Sequence, residues 1–197
     1  MSVFRLGLTG SIGMGKSTTA GFFLAEGIPV WAADDAVHRL YGPGGAAVGP
    51  LGSLHPPARV GDAISRHILK SWIASDPTAL RRIEAIVHPL VATDRHDFLR
   101  TVDSDIAVLD IPLLFETGAE ADLDATLVVT APPDLQRARV LSRPGMTEAL
   151  FETILAKQMP DAQKRARSTH VIETLSTESA QACVRALIDY IRSSRIA

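Results

Sequence analysis

The residues best suited to chemistry stand near the N-terminus, where Gly10-Ser11-Ile12-Gly13-Met14-Gly15-Lys16-Ser17 matches G-x-x-x-x-G-K-[ST] in full. Glycines let backbone N–H groups converge on phosphate oxygens, and a helix starting at Lys16 adds its positive end. The Lys16 ammonium can reach β- and γ-phosphate oxygens, and the Ser17 hydroxyl can hold Mg2+. The alternative, an incidental Gly-rich turn, fails on context, because an apolar strand precedes the loop and a helix follows it. The stretch from Ser11 to Thr18 therefore reads as a nucleoside triphosphate site.

Two carboxylates follow the same logic. Asp34 ends a second apolar run and Asp110 a third. Ligands of parallel sheets sit outside the carboxyl ends of the strands, so the loop, Asp34 and Asp110 should face one crevice. Asp34 could accept a proton from an acceptor hydroxyl, hold a metal-bound water, or cap a helix. Asp110 has the form of a carboxylate that holds Mg2+ through water, with helix capping again the alternative. Arg137, Arg139 and Arg143 follow Pro132-Pro133-Asp134, and arginines three or four apart share a helix face. Alone, that is a solvated basic face. Beside a phosphate loop it reads as a lid that closes over ATP and neutralises developing charge. No guanine-specifying N-K-x-D occurs.

The elements that must position these groups alternate. Strands are expected at Val3–Leu8, Ile28–Ala33, Ile106–Ile111, Ala125–Thr130 and Val171–Ile172. Helices are expected from Lys16 to Ala25, with Gly27 as its C-cap, and from Thr177 to Ser193. This pattern predicts an α/β fold with a parallel five-stranded sheet covered on both faces. About 70 residues separate the second and third strands, too many for one crossover helix. Within them, the Gly- and Pro-rich stretch 42–62 reads as loop. Helices are expected at about 63–74 and 77–102, the second interrupted or restarted at His88-Pro89. A second helical excursion covers about 144–167.

Composition narrows the class. In 197 residues, 20 Lys+Arg oppose 22 Asp+Glu, and 46% of residues are apolar, which describes an ordinary globular chain. A net charge of −2 argues against a generic nucleic-acid or anionic-membrane binder. No run of 18 uncharged apolar residues and no signal-peptide pattern occurs, and the single Cys183 cannot form an internal disulfide. A reducing cytoplasm is the expected compartment. Cys183 itself, in the closing helix, is expected in the core. His38, His55, His67, His96 and His170 lack metal-site spacing. Charge is segregated: residues 101–136 carry eight acids and no Lys or Arg, whereas residues 137–167 carry seven bases and three acids. Lys157, Lys164, Arg165 and Arg167 of that basic stretch have no assigned task.

Several segments together resemble the dephospho-CoA kinase family. The likeness runs through Gly7-Leu8-Thr9-Gly10 into the loop, Ala33-Asp34, Arg66-x-x-Leu69, His88-Pro89, Pro112-Leu113-Leu114-Phe115-Glu116 and Gln136-x-x-Arg139-x-x-x-Arg143. It then continues through Gln158 to Val171-Ile172. The resemblance implies a P-loop core (about 1–35, 104–139 and 168–197), an inserted CoA-binding lobe (36–103) and a helical lid (140–167), all in one domain. It implies ATP and Mg2+, dephospho-CoA as acceptor, and coenzyme A as product, the last step of its synthesis. By this likeness Lys16, Asp34 and Arg143 are catalytic, with Asp34 the base at the acceptor hydroxyl. Arg139 and Arg143 would meet ATP phosphates. Arg66, His88, Leu113 and Glu116 would lie on the acceptor side, and Ser17 and Asp110 would hold the metal. No nucleic-acid or membrane partner is implied, and the protein is expected to be a monomer or weak homo-oligomer.

Two departures stand out. Ala32 replaces the first aspartate of the family's usual Asp-Ala-Asp. Ser168 to Ser176 also differ from its Ala-Asp-x-Val-Ile-x-Asn-x-Gly, on the side that takes the adenine. Two other readings remain at this stage: another small-molecule kinase of the same architecture, acting on a nucleoside or sugar acid, and a degenerate ATP-binding regulator.

Overall fold

The structure, a computed structural model, describes residues 3–195. Strands β1 (Phe4–Thr9), β2 (Val30–Ala32), β5 (Ile106–Asp110), β6 (Ala125–Thr130) and β7 (His170–Glu173) form one sheet in the order β2-β5-β1-β6-β7. The β1–β5, β1–β6 and β6–β7 pairings are parallel. Strands β5 and β6 are buried along their whole length and β1 from Leu6 onward, as central strands covered on both faces must be, whereas only Ile172 of β7 is buried. The fold is α/β, as expected.

Residues up to Val30 and from Val102 onward form one compact unit, and Trp31–Thr101 a second. In the first, Leu6, Leu8, Val108, Leu127 and Val129 of the sheet pack with Phe23 of helix α1 (Lys16–Ala25). Val184, Leu187, Ile188 and Ile191 of helix α9 (Thr177–Ser194) close the same core. Burying each such side chain stabilises by about 1.5–3 kcal/mol relative to exposure. Gly27 has φ +76° and its N–H donates to the Leu24 carbonyl, which ends α1 where expected. Cys183 is exposed, contrary to expectation, because Ala180, Val184 and Leu187 occupy the inward positions of α9.

In the second unit, helices α2 (Ala33–Tyr41), α3 (Val48–Leu54), α4 (Arg66–Ser75) and α5 (Ala79–Thr101) surround Leu40, Leu51, Leu69, Ile83 and Val87. Short strands β3 (Arg59–Val60) and β4 (Ala63–Ile64) make an antiparallel hairpin. The stretch expected as loop thus holds α3 and this hairpin. Pro50 falls in the first turn of α3, where its missing N–H has no intrahelical acceptor to satisfy. Helix α5 also runs unbroken through Pro89. The carbonyl that Pro89 leaves without its usual donor belongs to exposed Ala85, where water can take the bond. Among the described residues, no helix is long and apolar enough to cross a membrane.

Candidate active site

The phosphate loop fills the turn between β1 and α1. Leu8 of β1 lies opposite Asp110 of β5, and the Ile111 N–H donates to the Leu8 carbonyl at 2.9 Å. The two strands therefore deliver the loop and Asp110 to the same, carboxyl end of the sheet. Gly13 and Gly15 have φ of +79° and +86°, a region that side chains avoid. At Gly13 a Cβ would also stand 2.5 Å from Val140 Cγ2, so only glycine fits.

Lys16 donates to Asp110 Oδ1 at 2.5 Å, and both side chains are largely buried. This pair joins the proposed phosphate cation to the proposed metal carboxylate. Ser17 and Thr18, the next residues of α1, are exposed, while Ser11 and Met14 are buried. Hydroxyl and carboxylate oxygens are hard donors of the kind Mg2+ takes, so Ser17 and Asp110 fit that ion.

A cavity of about 340 Å³ opens beside the loop, lined among others by Gly13, Gly15, Thr18, Phe22, Arg139 and Thr174. Its size suits a small organic ligand. Helix α6 (Pro133–Leu141) supplies Arg139, and Arg143 follows two residues after its end. The two arginines behave differently. Arg139 forks onto Thr174, its Nη1 2.9 Å from Oγ1 and its Nη2 2.6 Å from the carbonyl. Arg143, also on the cavity wall, is exposed and has no side-chain hydrogen bond or ion pair among the described residues.

Thr174 is a residue that sequence reasoning marked only as a departure. It is 5% exposed, and its hydroxyl shares one proton between the Met14 carbonyl at 3.0 Å and the Thr130 carbonyl at 3.2 Å. It thereby ties β6, the phosphate loop and Arg139 to one atom. Thr174→Val should destabilise the fold by about 1–3 kcal/mol, because buried polar partners lose their bond. Thermal melting would show this as a drop of about 2–4 °C per kcal/mol, together with weaker nucleotide binding. An unchanged melting curve would remove Thr174 from this role.

Two glutamines hold the loop's tip. Gln136 Nε2 donates to the Ile12 carbonyl at 2.7 Å, and the Ile12 N–H donates to Gln158 Oε1 at 3.1 Å. The Pro112–Glu116 stretch follows β5. Leu114 and Phe115 are buried, whereas Leu113 is 42% exposed. Glu116 accepts from the Met159 N–H at 2.8 Å and lies 2.8 Å from Lys164 Nζ. Burial pushes the Glu116 carboxyl upward, but Lys164 and the Met159 amide outweigh it and hold it below the usual carboxylate range.

The remaining expected residues belong to the second unit. Asp34 is not the end of a strand but an exposed member of the first turn of α2. Arg66 opens α4, with its guanidinium 5.7 Å above the Tyr41 ring, and His88 is exposed on α5.

Comparison with known proteins places the chain. The family model described as dephospho-CoA kinase matches residues 4–179. The dephospho-CoA kinase of Cereibacter sphaeroides is 65% identical over 194 residues, covering 98% of each chain. That of Ruegeria pomeroyi is 58% identical over 193 residues, again covering 98% of each. Among solved structures, TT1252 from Thermus thermophilus superposes with a TM-score of 0.86 at 33% identity, covering 96% of this chain and 98% of that one. With the phosphate loop, the cavity beside it and this end-to-end similarity, the chain belongs to the dephospho-CoA kinase family.

Proposed function

We propose that the protein transfers the γ-phosphoryl group of ATP to the 3′-hydroxyl of dephospho-CoA, giving coenzyme A and ADP. The observation that carries this reading is the Lys16–Asp110 pair at the end of the phosphate loop, in a chain whose family is known. Phosphoryl transfer needs alignment and charge compensation more than covalent chemistry. Lys16 can release Asp110 and turn to the β- and γ-phosphate oxygens, and the loop amides from Ser11 to Thr18 cradle the phosphates. Ser17 and Asp110 would hold Mg2+, which supplies positive charge between the phosphates. Asp34 accepts the proton of the acceptor hydroxyl. Arg66, His88 and Leu113 serve the acceptor side, with about 36–103 as the CoA-binding lobe and about 140–167 as the lid. The reading includes a cytoplasmic enzyme acting as a monomer or weak homo-oligomer.

Arg139 and Arg143 both line the cavity, but they divide the work. Arg139 begins on Thr174, whereas Arg143 has no such partner to leave. Arg143→Ala should lower kcat by about 10²-fold, the scale for one lost charge contact in the transition state. Steady-state kinetics would measure it, and a wild-type rate would return Arg143 to a solvated surface role.

The decisive experiment is a coupled ADP-release assay with dephospho-CoA beside a panel of hydroxyl acceptors, including nucleosides and sugar acids. Release stimulated by dephospho-CoA alone is the expected result. Release stimulated by another acceptor and not by dephospho-CoA would overturn the reading, as would ATP binding with no transfer to any acceptor.

A further inference from the structure

The most deeply buried charge in the described chain lies outside the residues assigned to the reaction. Lys164 is completely buried, on helix α8 (Asp161–Arg167), with its ammonium 2.8 Å from Glu116 Oε1. Its neighbours at three-residue spacing are also engaged. Asp161 Oδ2 accepts from Thr130 Oγ1 at 2.8 Å, and Arg167 pairs with Glu120 while lying 5.0 Å above the Phe115 ring. A buried ion pair is a poor device for stability alone, since apolar residues of similar volume fill such space at least as well. The geometry must therefore be read for what the pair holds in place.

What it holds is the backbone at Met159. Glu116 Oε1 takes both the Lys164 ammonium and the Met159 N–H, each at 2.8 Å. The residue before Met159 is Gln158, and its side-chain oxygen accepts the Ile12 N–H at the tip of the phosphate loop. Gln136 Nε2 clamps the carbonyl of the same residue. Gln136 rides on α6, whereas Gln158 stands in the turn before α8, after helix α7 (Glu148–Leu155). Nothing in α6 fixes Gln158. Its own N–H donates to the Leu155 carbonyl at 3.0 Å at the end of α7, and the peptide that follows it is held at Met159 by Glu116 and, behind it, Lys164.

We propose that Glu116 and Lys164 are positioning residues for the nucleotide side of the reaction, acting through Gln158 to fix the Ile12 peptide of the phosphate loop. Glu116 then touches neither substrate, and its loss is felt at ATP and not at the acceptor. The inference rests on the kinase reading for its kinetic arm, but its structural arm, exchange of the Ile12 amide hydrogen, does not.

The test compares charge-free pairs. E116Q/K164M keeps an oxygen for the Met159 amide, whereas E116M/K164M removes it while filling the same space. Amide exchange at Ile12 should stay slow in E116Q/K164M and become fast in E116M/K164M and in Gln158→Ala. In kinetics, E116M/K164M and Gln158→Ala should each lose about 10- to 100-fold in kcat/KM for ATP, the scale of a small misplacement of a reacting group. KM for dephospho-CoA should not move. Adding Gln158→Ala to E116M/K164M should cause no further loss, since the two act in series. Gln158→Glu, which retains the acceptor oxygen, should restore most of the activity.

Slow Ile12 exchange in E116M/K164M would overturn the proposal, as would losses that multiply in the triple variant. A raised KM for dephospho-CoA with ATP kinetics intact would make Glu116 an acceptor contact instead. If the wild-type protein transfers no phosphate to dephospho-CoA, the kinase reading fails, and the exchange pattern alone decides the positioning claim.

Discussion

Lys16→Met should bring turnover to background, a loss of about 10³-fold or more, because no other loop side chain can supply positive charge at the γ-phosphate. Methionine keeps most of the lysine stem and its packing, so the change isolates the ammonium. In the resting protein that ammonium donates to Asp110 at 2.5 Å in a largely buried setting. Removing it therefore disturbs two things, the phosphate contact and the neutralisation of Asp110. The double variant Lys16→Met with Asp110→Asn separates them. Thermal stability lost in the single variant should return in the double, whereas turnover should not. Activity above one tenth of wild type in Lys16→Met, measured by ADP release, would remove Lys16 from the mechanism.

Asp34→Asn is the second large effect. The amide is isosteric with the carboxylate but cannot accept a proton, so kcat should fall by about 10²–10⁴-fold, the range for a lost general base. Binding of ATP, followed by titration, should stay as in wild type, because Asp34 is assigned to the acceptor hydroxyl. Stability should barely change. Asp34 is exposed in the first turn of α2, where a carboxylate contributes about 0.3–1 kcal/mol through the helix dipole. Unchanged kcat in Asp34→Asn would leave that dipole as its whole role.

The nucleotide half of the molecule was the more legible in sequence, and the reason is local. The loop motif fixes β1, α1 and their turn within one continuous stretch, and α1 begins and ends at the expected Lys16 and Ala25. Most sheet strands are readable because they are largely apolar runs, β5 and β6 above all. Helix α2 was missed although its signals were present. Asp34 and Asp35 sit in its first turn, and His38 and Arg39 in its last, as the dipole favours. The apolar run before Asp34 reads instead as a strand that Asp34 ends. Helix α3 could not be read locally, since Val48-Gly49-Pro50-Leu51-Gly52 has poor helix propensity. Burial of Val48 and Leu51 in the second unit's core overrides that preference.

Side-chain partnerships were the least legible, because they join residues far apart in the chain. Arg139 and Arg143 looked equivalent on a shared face, yet Thr174, thirty-five positions away, takes the guanidinium of Arg139. Lys164 has no task that its sequence context assigns, yet it is wholly buried on Glu116. Gln136 and Gln158 entered only as parts of a family pattern, and nothing in their type announces that both hold one peptide of the loop.

The separate apolar centres of the two units bear on how damage to this protein should be read in genetics. Leu69 and Ile83 belong to one centre, and Leu127 and Val184 to the other. Units with their own cores can open at different free energies, so a lesion in one loosens that region first. A substitution such as Leu69→Ala, at a residue with no assigned role in the reaction, would then mimic a defect in acceptor recognition while the sheet and its phosphate loop stay intact. Alleles of this protein should accordingly sort by which core they weaken, before they sort by which ligand they touch.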